Sequence, residues 1–559
     1  MPGVAPSPDR PAVRAFSRAG AAAHVGLTMA RRGLLTPGRP DRVARQLRHL
    51  ARWGLSLAGG FGSAARRDPH AVALVDEGGE TDFAELDART DRLASGLGGL
   101  LPPDRTCVGV LCRNHAALVE TLIACAKLGA DAVLLNTGLS AGQVLRAAAD
   151  HDLAVLVADA EFVPVLGEAA DSAPRTSIVT AWPAEAADAV LDGPTLERLV
   201  RTSPAAARRP PRRSGRTIVL TSGATGDPKG ALRPAPRLRA MTAVLSRIPL
   251  RVKDRAMIAA PIFHTWGYAA LQLSMAVRAA VVLPRRFEPE TVLRQLAQAR
   301  CTALFAVPVM LQRILDLPEY VRRRHDVSAL RVVAVSGSRL PGDLAVRFMD
   351  AFGDVLYNLY GTTEVSWASI AVPAELRRSP DTAGRPPYGT SVTLLDAAGR
   401  PVADQRTGRI FVRNDMLFGG YTDGGDRDMR DGAMDTGDLG RRDASGLLFV
   451  DGRADDMIVS GGENVFPKQV EDVLCDLAQV NEVAVVGVPD DEFGQRLAAY
   501  VVTRPGARLD AEQVRGHVRR SAARFCVPRD VYFVSALPRN ATGKVVARWL
   551  TPPGRDERA

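Results

Sequence analysis

Lysine is almost missing from this chain. Of the 72 Lys+Arg residues only five are lysine, Lys127, Lys229, Lys253, Lys468 and Lys544, and the other 67 are arginine. Lysines kept against that background point to places where a compact ammonium does what a planar guanidinium cannot. Aromatic residues are also few, at 5%. No apolar run approaches the ~20 residues of a membrane-spanning helix. The mildly apolar segment 19–30, flanked by Arg18 and Arg31 and broken by His24, does not read as a signal peptide. The six cysteines, Cys107, Cys112, Cys125, Cys301, Cys475 and Cys526, form no CxxC pair and no metal-ligand spacing. They read as reduced, mostly buried thiols of a cytoplasmic protein.

At 559 residues two or more domains are expected, and 46% hydrophobic with 24% charged residues is ordinary globular composition. The net charge of +10 suggests nucleic acid until it is located. Residues 1–50 hold nine Arg, no Lys and two Asp, so this stretch carries +7 and the rest only +3. The excess is a basic arm, residues 1–70, and no nucleic-acid partner is expected. Within it, residues 41–55 put Val43, Leu47 and Leu50 on one helical face and Arg42, Arg45, His49 and Arg52 on another. The favoured reading is a helix packed on its own domain. The other is a peripheral membrane contact on an anionic surface.

From about residue 72, short apolar runs alternate with helical patterns: 106–112, a helix over 115–128, then 131–136. After a basic, Pro-rich stretch at 203–216, expected to be an exposed loop, the alternation resumes with TIVLT (217–221) and continues to LRVVAV (330–335). Such alternation predicts an α/β fold with mostly parallel sheets, in which ligands sit at the carboxyl ends of strands.

The loops at such places carry the chemistry. TSGATGDPKGA (221–231) gathers hydroxyls at Thr221, Ser222 and Thr225, glycines at Gly223, Gly226 and Gly230, and the ammonium of Lys229. Glycine lets backbone N–H groups turn toward an anion, and the hydroxyls and ammonium complete a polyphosphate cradle. It is not a Walker A loop, and neither is Gly543-Lys544, where position 538 is Pro and position 545 is Val. LYGTTEVS (359–366) offers the Tyr360 ring, two hydroxyls at Thr362 and Thr363, and Glu364 as a hard oxygen ligand for Mg²⁺. DTGDLG (435–440) places Asp438 to accept hydrogen bonds from ribose hydroxyls, and DGRADDMIVSGGENVFP (451–467) brings Arg453, Asp455 and the pair Gly461-Gly462. Each alone would be a turn.

Together, in this order, and with PIFHTWG (261–267), SGSRLP (336–341) and RNATGKVV (539–546), they resemble the adenylate-forming superfamily of acyl-CoA synthetases, firefly luciferase and nonribosomal peptide synthetase adenylation domains. Bacterial fatty acyl-CoA synthetases are nearest in character, and the resemblance runs from about residue 72 to 550. It implies a large AMP-binding domain over 71–454, a small mobile α+β lid over 455–552 and a tail at 553–559. It implies ATP, Mg²⁺ and coenzyme A. Thr221, Ser222, Gly223, Thr225, Gly226 and Lys229 match the β,γ-phosphate grip. Thr363 matches the α-phosphate contact and Glu364 the Mg²⁺ ligand, while Asp438 and Arg453 match the ribose contacts. Gly337, Ser338 and Tyr360 fall in the adenine pocket, His264 between acyl pocket and thiol tunnel, Asp455 at the hinge, and Gly461 beside the pantetheine channel. Lys544 matches the catalytic lysine.

The implied activity is ATP-dependent conversion of a carboxylic acid, expected to be fatty, to acyl-AMP and then acyl-CoA. An acyl-AMP ligase loading a carrier protein is the first alternative. A non-catalytic acyl- or nucleotide-binding protein is the second, disfavoured by retention of Lys229 and Lys544, and a luciferase-like oxygenase is a third. Ala224 stands where the family usually has a hydroxyl. One lost hydrogen bond to a charged group is worth roughly 1.5–3 kcal/mol, so slower ATP use is expected. Residues 432–435 lack the aromatic residues common before TGD, and oligomeric state is not legible.

Overall fold

The computed structural model describes residues 11–162, 176–182, 194–205, 209–222, 228–454, 458–460, 463–465, 467–490, 494–522, 526–540 and 543–550. Two largely parallel sheets organise the first two thirds of the chain. In one, strands lie in the order Ser177–Thr180, Leu153–Ala158, Cys107–Leu111, Asp131–Leu134, Thr217–Ser222 and Pro228–Arg233, all pairs parallel except the last. Residues 153–158 are buried throughout. This is why their sequence is a continuous apolar run and does not alternate: both faces are covered.

The second sheet has eight strands, in the order Ser369–Ala371, Leu356–Tyr360, Val332–Val335, Ala303–Ala306, Arg255–Ile258, Ala280–Val282, Val72–Asp76 and Gly79–Asp82. Only its two outermost pairs are antiparallel. The helix read at 115–128 runs from Ala116 to Leu128 and ends at Gly129, φ 74°. A Cβ there would meet the Arg213 carbonyl at 2.4 Å, so the left-handed turn and the close approach both require glycine. The stretch 203–216 is fastened at its far end. Arg213 and Arg216 each reach Asp131 at 2.8 Å.

Antiparallel strands Ser391–Leu395, Gly408–Arg413, Ala433–Arg442 and Leu448–Arg453 follow. Beyond them a small α+β unit pairs Val480–Asp490 with Gly494–Thr503 and packs the helices Pro467–Cys475 and Ala511–Ser521 against that sheet. Its core is its own, with Val470, Leu474, Val501, Val514 and Val518 fully buried. The chain is thus mixed α/β, a large body of parallel sheets and a smaller C-terminal domain.

The basic arm is helical: α1 (Pro11–Arg31), α2 (Pro40–Trp53) and α3 (Leu57–Arg67). α2 is the helix read from 41–55, but one residue departs from the pattern. His49, assigned to the polar face, is buried, with Nε2 3.3 Å from the Ala58 carbonyl oxygen and its ring against Gly62, where a Cβ would come within 2.4 Å. The glycines of α3 leave a trough that takes the imidazole, and burial lowers the His49 pKa. Among the described residues no helix is long and apolar enough to cross a membrane.

Candidate active site

The residues singled out from sequence converge on one cleft of about 1520 Å³ between the large body and the small domain. Lys229, His264, Gly337, Ser338, Tyr360, Thr363, Glu364, Asp438, Arg453 and Lys544 all line it. Gly223, Ala224, Thr225, Gly226, Asp455 and Gly461 lie outside the described residues. Thr221 and Ser222 end their strand, with Thr221 opposite Lys229 in the ladder. The antiparallel strands on either side of residues 223–227 therefore set Lys229 opposite the first hydroxyl residue of the motif.

Asp438 and Arg453 are fifteen positions apart in sequence and directly opposite one another across antiparallel strands. Register alone brings them together, with Arg453 Nη1 3.9 Å from Asp438 Oδ1. The Tyr360 hydroxyl donates to Asp438 Oδ2 at 2.6 Å. Burial and then the Asp438 charge raise the Tyr360 pKa well above its ordinary value, so the phenol stays protonated as a donor. Gly337, with φ +91°, lines the same cleft in a conformation that favours glycine.

Glu364 is buried. Its carboxylate accepts from the Tyr421 hydroxyl at 2.5 Å and lies 3.5 Å from Arg427. Burial opposes ionisation, but the Tyr421 hydrogen bond and other donors prevail and hold the Glu364 pKa below the usual range. Thr363 Oγ1 sits 3.1 Å from Thr265 Oγ1. Lys229 Nζ is 2.9 Å from Asp423, so the phosphate-loop ammonium rests on a carboxylate at the rim.

His264 is the residue before the helix Thr265–Ala276. Its ring lies 4.6 Å from that of Phe263, and its Nε2 is buried without a hydrogen-bond partner. Burial pushes its pKa down to about 4, so the imidazole is neutral at physiological pH.

Lys544 enters from the small domain on a turn built for it. Asn540 Oδ1 accepts from the Lys544 backbone N–H at 2.9 Å, Asn540 N–H donates to the Lys544 carbonyl, and Gly543 takes φ +78°. Arg539 braces the turn, donating to the Gly543 carbonyl at 2.6 Å and to Glu482 at 2.7 Å. A Cβ on Gly543 would approach Val309 Cγ1 to 2.5 Å. Glycine thus lets the turn lie against the body, and the Lys544 side chain is left exposed in the cleft.

Sequence reasoning missed Arg233. At the far end of the phosphate hairpin its guanidinium donates to the Thr363 carbonyl and, at 2.8 Å, to Ser366 Oγ. No carboxylate pairs with it among the described residues, and burial lowers its pKa to about 10, so it remains a cation. Tyr268, hydrogen-bonded to Thr217 at 2.9 Å, and Gln272 are beside it. Ala240, Met241, Val244 and Leu273 give the same cleft an apolar stretch of wall. The only sequence signal was an arginine on the strand that leaves the phosphate loop.

A body of parallel sheets with a small domain that turns a lysine toward a nucleotide-sized cleft is the architecture of an adenylate-forming enzyme. Residues 61–422 match the model described as AMP-binding enzyme and residues 469–544 match its C-terminal domain, and the chain belongs to that family. It is 34% identical over 497 residues to a feruloyl-CoA synthase of Amycolatopsis sp, covering 86% of this chain and 96% of that one. To the long-chain-fatty-acid–CoA ligase FadD13 of Mycobacterium tuberculosis it is 28% identical over 474 residues, covering 83% and 91%. The solved anthranilate CoA ligase AuaEII in complex with anthranoyl-AMP superposes with a TM-score of 0.77 at 25% identity, covering 87% of this chain and 95% of that one. The chain is an AMP-forming acid–CoA ligase.

Proposed function

We propose that the acid activated here carries an aromatic ring or another polar acceptor at its far end, in place of the plain fatty chain expected from sequence. The observation that carries this reading is Arg233. A guanidinium with no hydrogen-bonded carboxylate, and only the longer-range charge of Glu364 to offset it, is costly beside an alkyl tail, and favourable beside a ring face or an oxygen substituent. Gln272 and Tyr268 extend the polar edge, and the feruloyl and anthranilate relatives are named for acids of that kind. The fatty reading is kept as the alternative because Ala240, Met241, Val244 and Leu273 form an apolar wall.

The roles of the residues follow from their chemistry. The hairpin carrying Thr221, Ser222 and Lys229 would grip the β and γ phosphates. Asp438 would accept the ribose hydroxyls with Arg453 alongside, and Gly337, Ser338 and Tyr360 would frame the base. A carboxylate oxygen of the acid attacks the α-phosphorus, the bond to pyrophosphate breaks, and acyl-AMP remains. Two anions meet in that step, and Lys544 supplies a cation small enough to face both. Mg²⁺ fits Glu364, an ionised buried carboxylate that would share the ion with substrate phosphates, the usual Mg²⁺ donor set. When bound, it offsets phosphate charge.

In the second step the coenzyme A thiolate sulfur attacks the acyl carbon and AMP leaves. The face it needs is the one Lys544 occupies, so the small domain would pivot near Asp455 and bring the Gly461 segment to the thiol channel. The neutral His264 would then border the thioester-forming region without a charge to repel or trap the acyl group. A carrier-protein thiol is the alternative acceptor.

The test is a panel of aryl and alkyl carboxylic acids with AMP and thioester both quantified. Preference for ring-bearing or oxygen-bearing acids is expected, and Arg233→Met should narrow it with KM rising more than kcat falls. A preference that climbs with alkyl length and ignores Arg233→Met would return the assignment to fatty acids.

A further inference from the structure

A second cavity, of about 590 Å³, lies away from the catalytic cleft and shares no lining residue with it. It forms where the arm meets the body. The Val252 N–H donates to the Arg32 carbonyl at 2.9 Å and Arg67 Nη2 donates to the Thr36 carbonyl at 2.8 Å, which fixes the α1–α2 linker over the turn 251–253. Gly38 closes the seam, since a Cβ there would stand 2.5 Å from the Arg67 guanidinium.

Of the fifteen residues lining this cavity, eight are arginine or lysine and one, Asp68, is acidic. Asp68 is divided between Arg278 at 3.2 Å and Lys253 at 3.8 Å. Arg31, Arg42 and Arg251 form no ion pair with any described residue. Burial, and then the neighbouring Arg251 and Arg31 charges, lower the Arg32 pKa. Helix ends explain part of this accumulation. Arg31, Arg67 and Arg278 stand at or just past the C-terminal ends of α1, α3 and the helix Thr265–Ala276, where cations are favoured. Arg39 and Arg42 are at the start of α2, where the helix dipole disfavours cations; Asp41 in that turn pairs with Arg39 at 3.2 Å and with Arg45 at 2.6 Å, which leaves Arg42 uncompensated. Repulsion among these groups opposes the folded arm unless an anion relieves it.

We propose that this cavity binds a ligand bearing several phosphate charges, carried on a small soluble molecule or on a lipid headgroup. Guanidinium groups pair side-on with phosphate oxygens, and the volume is that of a small-ligand site. Most of the lining belongs to the arm or to turns outside the catalytic cleft, and the AMP-binding match begins only at residue 61. Nine of the fifteen lining residues thus precede the matched region, and the arm completes a site whose other wall is the ligase body. Leu27, Leu35 and Leu47, each more than half exposed on the arm, make a headgroup source concrete.

The test uses the full chain in a Lys229→Ala background, which weakens polyphosphate binding in the cleft. Inorganic tripolyphosphate is titrated by calorimetry, and phosphatidylcholine vesicles carrying phosphatidic acid are co-sedimented. The added substitutions Arg31→Ala, Arg42→Ala and Arg251→Ala remove the three unpaired cations. Binding of at least one probe should weaken by about tenfold or more in the triple variant and fall as salt rises. Tripolyphosphate alone retained by the parent identifies a soluble ligand, and vesicles retained and displaced by tripolyphosphate identify a headgroup. In a Lys229 protein the same triple should keep its adenylation rate and a thermal midpoint no lower than the parent's, which rules out misfolding as the cause. Equal binding by parent and triple, or no binding of either probe to the parent, overturns the proposal.

Discussion

Lys127 shows what an ammonium does where a guanidinium will not fit. Its side chain is buried, and Nζ donates to Asp87 Oδ1 at 2.8 Å, the Asp87 carbonyl at 2.9 Å, Thr90 Oγ1 at 2.9 Å and Asp91 Oδ1 at 2.7 Å. Its three N–H groups are shared among four acceptors crowded around one nitrogen, two of them on Asp87, a cluster that suits a compact ammonium and not a planar fork. Lys127→Met should lower unfolding free energy by about 3–5 kcal/mol, because Asp87 would lose a buried counter-charge; chemical denaturation measures it. Burial pushes the Asp87 carboxyl pKa up, but Lys127 and then Arg66 outweigh it and hold the value below its ordinary 3.8. A depressed carboxyl contributes stability above its unfolded pKa and loses it as pH falls through the folded one. The wild type should therefore weaken below about pH 4 more steeply than Lys127→Met. Lys544 is the opposite case, an exposed ammonium that among the described residues is held by its backbone turn. Lys544→Ala should slow pyrophosphate exchange by about 10²–10³ and leave thioester formation from supplied acyl-AMP near the wild-type rate. Sequence singled out both lysines by scarcity. It gave Lys544 an expected role because the surrounding motif is specific, whereas the partners of Lys127 are some forty residues away and nothing local marks them.

At the scale of elements, two cations stand at the seam between the small domain and the body, where Gln312 and Asn481 also meet at 3.5 Å. Arg339 follows the Gly337-Ser338 turn and pairs with Asp472 on the helix Pro467–Cys475 and with Asp381 of the body. Lys468, on the same helix, donates to the Val450 carbonyl. Burial, reinforced by Arg339, lowers the Lys468 pKa to about 8, against the pull of Asp451 and Asp381. A lysine whose pKa is depressed in one arrangement penalises that arrangement while protonated. The packing seen here should thus gain population as pH rises through about 8, and Lys468→Met should remove the dependence. Hydrogen exchange across residues 467–475, followed from neutral to mildly alkaline pH, reads it. Unchanged protection over that range would remove Lys468 from the docking equilibrium. The parallel sheets were legible because each buried strand is one unbroken apolar run between helical patterns. The Asp438–Arg453 pairing was not, because a sequence names residues and not the register that sets them opposite each other. Arg233 escaped for the same reason, since its importance comes from Thr363 and Ser366 more than a hundred positions later.

For the whole molecule the open structural question is how far the arm is part of the body. α3 is core: Leu57, Phe61 and Ala64 belong to the main buried cluster, Phe61 stands 6.4 Å from Phe83, and Gly60 lies so close to Met275 that a Cβ would touch its sulfur. α1 and α2 are attached more lightly, through Arg32 Nε to the Leu245 carbonyl at 2.9 Å and through His49 in the α3 trough. The charge count over residues 1–50 set off a basic stretch and the composition extended it to about residue 70, but composition registers arginine and alanine and does not register that Leu57, Phe61 and Ala64 of α3 face inward. A chain starting at Ser56 keeps the residue whose hydroxyl accepts from Gly59 N–H and caps α3. It should fold with a modest fall in thermal midpoint and form acyl-adenylate at the full-length rate, since no cleft-lining residue precedes Asn136. A chain starting at Asp68 loses Phe61, whose type of truncation alone costs about 3–5 kcal/mol, together with the Arg66–Asp87 ion pair, and should not yield a cooperative unfolding transition. If the shorter deletion already abolished adenylate formation in a protein that still melted cooperatively, the helices before Ser56 would have to act on the cleft from outside it. The strand Leu356–Tyr360 would be the route to examine, because Tyr357 feels the Arg32 charge and Tyr360 holds Asp438.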